Sequence, residues 1–239
     1  MTGSDMKKQT DNIAIKLINV SKKYEIHHEK PTLVEKFVKG RNETFWALKN
    51  INLTIKKGER VGINGANGSG KTTLLKIITG IASPSSGSVA TRGKVVSIID
   101  LSAGFHPDLP GIENIYLNGI LIGMTKKEID ATLPSIIDFA EIKQFIDTPV
   151  YTYSAGMQLR LGFAVAIHSN PDIMIMDEGF LAGDENFQEK AMKKIQSLRN
   201  TNLTMLIVSH WQDFLLANCE RIITFSDGII LSDKYIRPL

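Results

Sequence analysis

The 239-residue chain has little cysteine and no long apolar run. Its one cysteine, Cys219, excludes an internal disulfide and fits a reducing compartment. Because no histidine motif surrounds Cys219, we expect it to be a small buried apolar residue rather than a nucleophile. No stretch approaches the roughly 18 apolar residues that a membrane-spanning helix requires. Residues 1–12 are polar, which excludes a secretory signal and predicts a flexible N-terminal segment.

Charge of one sign is not in excess either. The chain has 28 Lys and Arg residues against 25 Asp and Glu residues, a net charge of +3. This is too small to indicate a nucleic-acid partner, which usually requires a concentrated basic face, and we expect none. Hydrophobic residues at 43% and charged residues at 22% are ordinary for a soluble globular protein. If the protein serves a process at a membrane, we expect it to do so from the cytoplasm, docked on another polypeptide.

Strand-like and helix-like segments alternate along most of the chain, which predicts an α/β fold with a largely parallel sheet. We expect a single domain over residues 13–239. Two parts depart from the alternation. Residues of about 28–44 are charged, with Leu33 and Phe37 at helical spacing, and predict a short helical insertion. Residues of about 106–165 are mostly helical and predict a subdomain.

The individual elements follow from apolar periodicity and from turn signals. Thr125 and Glu128 form a capping box that begins a helix, and Asp227–Gly228 predicts a hairpin turn. The predicted strands are 13–20, 51–55, 60–64, 95–99, 173–176, 205–208, 221–225 and 229–231, and the predicted helices are 71–79, 112–123, 159–167 and 185–198.

A glycine-rich segment links the apolar strand at residues 61–63 to the helix at 71–79 and matches the pattern G-x-x-x-x-G-K-[ST]. Glycines let successive N–H groups point at phosphate oxygens, and the helix N-terminus adds partial positive charge. The pattern predicts that Lys71 reaches the β- and γ-phosphates and that Thr72 ligates Mg²⁺. The alternative is a glycine-rich turn that carries Lys-Thr by chance. The residues expected to bind nucleotide are Gly65, Ala66, Asn67, Gly68, Ser69, Gly70, Lys71, Thr72 and Thr73.

Two buried strands end in polar residues that suit phosphate chemistry. Residues 173–176 lead into Asp177, placed to hold Mg²⁺, and Glu178, placed to polarise an attacking water. Residues 206–208 lead to His210, at the sheet edge where α/β folds bind ligands. Strand-end carboxylates and structural histidines are common, but a phosphate loop in the same chain favours the functional interpretation.

The segment Tyr153-Ser154-Ala155-Gly156-Met157-Gln158 precedes a helix. Ser154 fits a helix N-cap, which is the purely structural interpretation. In the functional interpretation, the Ser154 hydroxyl, the Gly156 N–H and the helix dipole form an anion site. We expect this site to lie too far along the fold to serve the chain's own phosphate loop, so that it serves a partner's nucleotide.

The order of phosphate loop, Ser-x-Gly segment, acidic strand and strand-end histidine resembles an ABC-transporter ATPase, from Ile13 to about Leu231. The resemblance implies a P-loop NTPase fold with a mostly parallel core sheet, an antiparallel β-subdomain and a helical subdomain. It implies ATP and Mg²⁺ as cofactors, and two copies of the chain that share each ATP. It also implies Glu178 as the general base, His210 as the switch histidine and Asp184 in a loop that crosses the dimer interface.

Three features depart from the family pattern or leave it open. The signature of the family, Leu-Ser-Gly-Gly-Gln, is led here by Tyr153, with alanine and methionine as further substitutions. Asp100 stands where the family usually has a glutamine, and it can still hold Mg²⁺ or water. Tyr24 is the expected aromatic for stacking on adenine, with Phe45 and Trp46 as alternatives, unless all three are core residues.

Several segments resemble one branch of the family, the ATPase subunits that export lipid-linked polysaccharides such as O-antigen, capsule and teichoic acid. An acidic residue in place of the loop glutamine is usual in that branch. The resemblance implies transmembrane permease subunits as partners and a homodimer formed on ATP binding. An importer subunit or a non-transport ABC ATPase is the alternative. The segments are 102–107, 111–115, 153–157, 160–166 and 181–188.

Overall fold

A computed structural model describes residues 12–26, 43–99, 104–177, 185–198 and 201–236 of the chain. These ranges contain nine strands and six α-helices. In chain order they are β1 (Ile13–Ile26), β2 (Glu43–Lys56), β3 (Arg60–Gly65), α1 (Lys71–Ile78), β4 (Ser86–Thr91), β5 (Val95–Ser97), α2 (Gly111–Leu121), α3 (Lys126–Ala140), α4 (Ala155–His168), β6 (Ile173–Asp177), α5 (Glu185–Ser197), β7 (Thr204–Val208), α6 (Gln212–Asn218), β8 (Arg221–Ser226) and β9 (Ile229–Tyr235).

The central sheet has six strands in the order β5-β6-β7-β3-β8-β9. The first five are parallel, and β9 returns antiparallel to β8 through the turn at Asp227 and Gly228. Since β3 lies between β7 and β8, the loop after β3 occupies the interior of the carboxyl edge of the sheet. The carboxyl ends of β6 and β7 reach the same edge, which is where open α/β sheets bind ligands.

A second sheet has three antiparallel strands in the order β2-β1-β4. Alternate residues of the parallel strands divide between two apolar cores. Ile173 and Ile175 of β6 pack with β1, β2 and α1, whereas Met174 and Met176 pack with the helices. Both faces of the parallel sheet are thus covered, as the apolar strands require. The predicted combination of a mostly parallel sheet, an antiparallel sheet and a helical part is confirmed.

The helical part is formed by α2, α3 and α4. The predicted capping box is present, because the Thr125 hydroxyl accepts from the Glu128 N–H and the Glu128 carboxylate accepts from the Thr125 N–H. Phe163 of α4 stacks on Phe139 with ring centres 5.8 Å apart, and it meets Phe187 of α5 edge to face at 5.7 Å. These aromatic contacts join the helical part to α5.

The types of the predicted elements are confirmed, and several boundaries differ. β1 extends through Ile26 and β2 begins at Glu43, because Tyr24 and Phe45 continue the pairing of the two strands. Glu43 and Thr44 therefore belong to β2 and not to the predicted insertion, of which residues 28–42 lie outside the described ranges. Asn12, expected to be flexible, accepts a hydrogen bond from the Lys57 N–H at 3.0 Å.

The shorter strand β5 and the longer helix α4 also differ from expectation. β5 ends at Ser97 instead of residue 99, although the Ile98 N–H still donates to the Ile175 carbonyl at 2.8 Å. The helix at 159–167 begins earlier, at Ala155, because Ser154 provides the N-cap. In the described ranges, no helix is long and apolar enough to cross a membrane.

Arg221, at the amino end of β8, is the centre of a buried ion-pair network. Its guanidinium donates to both carboxylate oxygens of Asp233 at 2.5 Å and to Glu59 Oε1 at 3.0 Å. Arg221 is 7% exposed and Glu59 is fully buried. The hydrogen bonds to Asp233, followed by those to Glu59, raise the pKa of Arg221, so the side chain stays charged. The network joins β9 to the turn between β2 and β3.

Removing this guanidinium should destabilise the fold. Arg221→Met keeps much of the side-chain volume but leaves the buried Glu59 carboxylate without its cation. We expect the free energy of unfolding in urea to fall by roughly 3 kcal/mol, the lower end of the range for a broken buried pair, since Asp233 is partly exposed. Lys193→Ala, which breaks an exposed pair with Glu189, should change little.

Removing the Glu59 charge as well tests whether the unpaired carboxylate causes the loss of stability. Arg221→Met combined with Glu59→Gln removes the buried uncompensated carboxylate and should recover part of the lost stability. If the double variant is no more stable than Arg221→Met alone, the loss comes from packing and not from the unpaired charge.

Candidate functional site

The loop between β3 and α1 curls back on itself and needs glycine at two points. Gly65 has φ of 150° and Gly70 has φ of 106°. A side chain at Gly65 would overlap with the Phe225 carbonyl oxygen, and one at Gly70 would overlap with the Ala47 carbonyl oxygen. The loop backbone therefore packs directly against the backbone of β8 and β2. No residue with a Cβ atom fits at either position.

Lys71 projects across the curl of this loop. Its ammonium group donates to the Gly65 carbonyl at 2.6 Å and to the Ala66 carbonyl at 3.0 Å. Lys71 begins α1, which has no acidic residue in its first turn. The positive end of the helix and the ammonium group therefore face the same small space, which is the arrangement that binds an anion such as phosphate.

A cavity of about 280 Å³ lies at this edge of the sheet. The structure brings together residues from four separate segments of the chain around it. Asp177 comes from the end of β6, and Val208 and His210 come from the end of β7 and the residues that follow. The remaining lining residues are Phe45, Ala47, Asn67, Gly68, Gly70, Lys71, Thr72 and Thr73.

Thr72 and Asp177, the residues expected to hold a metal ion, both line the cavity and carry side-chain oxygen atoms. Within the described ranges, no three His, Cys, Asp or Glu side chains come together as a metal cluster. Two protein oxygen ligands fit Mg²⁺, which keeps several waters and takes the rest of its ligands from substrate phosphates. Asp100, a further expected ligand, lies outside the described ranges, as do Glu178 and Asp184.

The aromatic wall of the cavity comes from β2. Phe45 lines the cavity, and Tyr24 pairs directly with Phe45 from the neighbouring strand β1. Tyr24 is not among the lining residues, and the Lys22 ammonium group lies 5.1 Å from the centre of its ring. Tyr24, Phe45 and Trp46 are all exposed, so none of them is a core residue. Of the three, Phe45 is therefore the one best placed to contact a base.

The Ser-x-Gly segment lies apart from this cavity. No residue of 154–158 lines the cavity. Ser154 is the N-cap of α4, and its hydroxyl accepts from the Met157 N–H at 3.2 Å. Ser154 and Ala155 are exposed, and the first turn of α4 carries no acidic side chain. The chain thus presents a second exposed helix N-terminus that is not used by its own phosphate loop.

Gly156 at this helix start is not required by the packing of the chain. A Cβ atom at Gly156 would meet only the Ser154 hydroxyl oxygen, at 3.9 Å. The backbone of Gly156 is helical, so its conformation does not demand glycine either. The small residue leaves open the approach to the helix N-terminus from outside the chain.

The sequence did not reveal how the hairpin turn supports the phosphate loop. The Gly228 N–H donates to the Ser69 carbonyl at 3.1 Å, and the Gly228 carbonyl accepts from the Lys49 N–H at 2.8 Å. Asn64 adds a local bond, since its Oδ1 accepts from the Gly65 N–H at 2.7 Å. The Asp-Gly signal was visible in the sequence, but it indicated a turn and not the segments that the turn touches.

The comparisons with known proteins agree with this geometry. A family model described as ABC transporter matches residues 48–180, more than half of the chain. The chain belongs to the ABC transporter family. Among curated ABC proteins, the chain is 39% identical over 219 residues to the O-antigen export system ATP-binding protein RfbB of Klebsiella pneumoniae, covering 87% of this chain and 88% of that protein.

Other relatives of this ABC protein are longer than the matched region. The chain is 52% identical over 164 residues to the O-antigen export system ATP-binding protein RfbB of Myxococcus xanthus, covering 69% of this chain but 38% of that protein. It is 42% identical over 234 residues to the teichoic acids export ATP-binding protein TagH of Lactococcus lactis, covering 96% of this chain and 50% of that protein.

A solved structure also resembles this ABC protein over almost its full length. The ATP-binding cassette MJ0796, in a dimeric post-hydrolysis state bound to ADP and Pi, matches with a TM-score of 0.75 and 28% identity. The match covers 94% of this chain and 100% of that one. The ABC cassette fold expected from the sequence is confirmed.

The hairpin turn lies outside the cavity, but disturbing it should still weaken phosphate binding in the cavity. Gly228 has φ of 78°, and a Cβ atom there would lie 2.8 Å from the Ala47 carbonyl oxygen. Gly228→Ala should therefore move the turn away from the loop and lower the affinity for Mg-ATP by roughly tenfold, about 1.4 kcal/mol. Isothermal titration calorimetry measures this change.

Gly123→Ala is the matched control. Gly123 has φ of 87°, but a Cβ atom there would meet only the Lys94 Cε, at 3.7 Å. Both variants should lose comparable stability from an alanine in the left-handed region. Equal nucleotide affinity in the two variants would contradict a supporting role for the turn.

Proposed function

We propose that the protein binds and hydrolyses Mg-ATP as one of two identical ATPase subunits of a transporter that exports a lipid-linked polysaccharide. The observation that carries the proposal is the separation of two phosphate-binding elements on one chain. The phosphate loop, Asp177 and His210 surround one cavity, whereas Ser154 and Gly156 form an exposed helix start outside it. A second copy of the chain, placed head to tail, supplies the missing element to each cavity.

The residues at the cavity suit transfer of a phosphoryl group to water. Lys71 and the loop N–H groups bind the β- and γ-phosphates, and Thr72 and Asp177 would hold Mg²⁺, which would supply positive charge to the phosphate oxygens. Glu178 accepts the proton of the attacking water, so that a P–O bond forms to water while the bond to ADP breaks. His210, on the cavity wall, donates to the γ-phosphate.

The dimer couples hydrolysis to movement. With ATP bound, the γ-phosphate bridges the phosphate loop of one copy and the Ser154 region of the other. Hydrolysis removes that bridge, and the two copies separate. The dimeric state of the MJ0796 cassette, at 28% identity, supports this arrangement. Asp184 is expected in the same interface and Asp100 at the loop that faces the permease.

The transported substrate is proposed from the relatives. The curated proteins matched at 39% and 42% identity are named for export of O-antigen and of teichoic acids. We propose that this chain powers export of a substrate of that class across the cytoplasmic membrane, from its cytoplasmic face. It binds transmembrane permease subunits and reaches the membrane only through them, and the polysaccharide need not touch it.

Replacing the proposed general base should trap the dimer. Glu178→Gln removes the carboxylate that accepts the proton but keeps the polar contact, so the variant should bind Mg-ATP and dimerise, with hydrolysis slowed by roughly 100-fold or more. Light scattering after size separation, with and without Mg-ATP, measures the dimer, and phosphate release measures hydrolysis.

The control for the charge change is Glu189→Gln on the exposed face of α5, where Glu189 pairs with Lys193. It should hydrolyse ATP like the wild type. If Glu178→Gln binds ATP, stays monomeric and hydrolyses as fast as the wild type, Glu178 is not the base and the shared-nucleotide arrangement is wrong.

Mixing two inactive variants tests whether the second element acts on the partner's nucleotide. Lys71→Ala disables the phosphate loop. Gly156→Asp places a carboxylate in the open space at the first turn of α4, where the chain tolerates it, so this variant should fold but repel a partner's phosphates. A mixed dimer contains one site with both halves intact, so ATPase activity should return when the two variants are combined.

Each variant alone should be inactive, and each should keep the thermal stability of the wild type. If mixed dimers form without any recovery of activity, Ser154 and Gly156 act on their own chain's nucleotide or on none.

A further inference from the structure

Two loops of the helical part are joined by main-chain hydrogen bonds. The first loop, residues 104–110, comes shortly after Asp100 in the sequence. The second loop, residues 145–153, leads into Ser154. Two bonds join the two loops, and two more join the second loop to Gly111 and Ile112 at the start of α2, so neither loop shifts without the other. The donors and acceptors are Gly111 N–H to the Thr148 carbonyl at 3.2 Å, Ile112 N–H to the Ile146 carbonyl at 2.9 Å, Val150 N–H to the Leu109 carbonyl at 3.0 Å and Tyr151 N–H to the Pro107 carbonyl at 2.9 Å.

Asn114 fixes the first loop on α2. Its side chain is fully buried. Its Oδ1 accepts from the His106 N–H at 2.7 Å, and its Nδ2 donates to the carbonyls of His106 at 3.0 Å and Leu109 at 2.9 Å. A third contact from Nδ2 reaches the Pro110 carbonyl at 3.2 Å. A buried amide with this many partners holds an irregular backbone in one conformation.

Tyr153 closes the second loop directly before the signature. Its side chain is 6% exposed, and its hydroxyl donates to the Phe145 carbonyl at 2.7 Å. Burial raises the pKa of the hydroxyl, which therefore stays protonated as a donor. The ring lies against Gly111, where any Cβ atom would overlap with the Tyr153 hydroxyl. Gly111 thus leaves the space that Tyr153 fills.

We propose that Tyr153 is a positioning residue for Ser154 and Gly156. It locks the second loop to Gly111, so the two loops and the start of α4 form one body. A displacement of the first loop is then transmitted to the helix N-terminus that meets the partner's nucleotide. A leucine, which leads the usual family signature, has no hydroxyl for the Phe145 carbonyl. The inference rests on the proposed function, since this positioning matters only if Ser154 completes a second copy's site.

The first measurement is hydrogen exchange of the nucleotide-free protein, which needs neither ATP nor a dimer. Tyr153→Phe removes one hydroxyl donor. The amides of Val150, Tyr151 and Met157 should then exchange roughly three to ten times faster, the factor that corresponds to one lost hydrogen bond. Tyr116→Phe is the matched control, because it removes a hydroxyl that donates to Asp130 at 2.6 Å, outside both loops. It should leave those three amides unchanged.

The second measurement is ATP-dependent dimerisation in the Glu178→Gln background. Tyr153→Phe should raise the protein concentration at which half of the chains are dimeric by roughly three- to tenfold for each of the two shared sites. The affinity of the monomer for Mg-ATP should stay the same, because the phosphate loop is untouched. A general loss of structure would lower both, whereas a positioning role lowers only dimerisation.

A third variant tests the contact from the other side. Gly111→Ala forces the Tyr153 hydroxyl away and should speed exchange of the same three amides. Combining it with Tyr153→Phe removes the overlapping atom, although the ring carbon that carried it would still lie 3.1 Å from the new Cβ. The double variant should therefore exchange more slowly than Gly111→Ala alone. If Gly111→Ala does not fold, Tyr153→Phe alone decides.

The outcomes separate this inference from the proposed function. If exchange at Val150, Tyr151 and Met157 is unchanged in Tyr153→Phe, the Tyr153 hydroxyl does not hold the second loop in place and the inference is wrong. Faster exchange with normal dimerisation overturns the positioning role while the proposed function stands. If the Glu178→Gln parent binds Mg-ATP but never dimerises, the proposed function fails and the positioning role fails with it.

Discussion

The close approach of three backbone segments is the constraint on which the site depends. The phosphate loop touches the Phe225 carbonyl through Gly65 and the Ala47 carbonyl through Gly70. Gly228 bonds to the phosphate loop at Ser69 and to β2 at Lys49. Backbone contacts of this kind leave no room for side-chain adjustment, so the loop has one position relative to β2 and β8. Because Phe45 stands two residues from Ala47 on β2, the same contacts fix the distance between the aromatic wall and the phosphate end of the cavity.

The β8–β9 hairpin is held at both ends, which explains how a turn at the sheet edge can support a loop so firmly. At one end, Arg221 pairs with both Asp233 and the buried Glu59, and these pairs are costly to break once the charges are desolvated. At the other end, the turn at Gly228 lies on the phosphate loop. β3 runs between these two points and pairs with β8 from Val61 to Gly65. The stability of the sheet and the order of the phosphate loop therefore both depend on contacts of the β8–β9 hairpin.

Features set by local sequence could be predicted, and features set by distant pairing could not. The phosphate loop, the capping box at Thr125 and the helix start at Ser154 depend on residues within a few positions of one another. The contact between Gly228 and Ser69 depends on β8 lying beside β3, and the Asp-Gly signal says nothing about that neighbour. The choice between Tyr24 and Phe45 depends on which of the two strands borders the phosphate loop, because directly paired residues share one face of the sheet, and β2 is the strand whose Ala47 touches Gly70.

The phosphate loop and the proposed second phosphate site at Ser154 and Gly156 differ in how firmly contacts within the chain hold them. The first is rigid because its glycines are required by contacts within the chain. The second is exposed, and Gly156 is required by no contact of its own chain, so its position is set by what precedes it. The residues that precede it are bonded to the loop that follows Asp100 through the Val150 and Tyr151 N–H groups, and Tyr153 packs against Gly111 at the end of that loop. Under the proposed function, an ATPase that closes on a nucleotide only when its membrane partner is in the right state needs one fixed site and one site whose position can be changed. In this chain, the first is built into the central sheet and the second into the helical part.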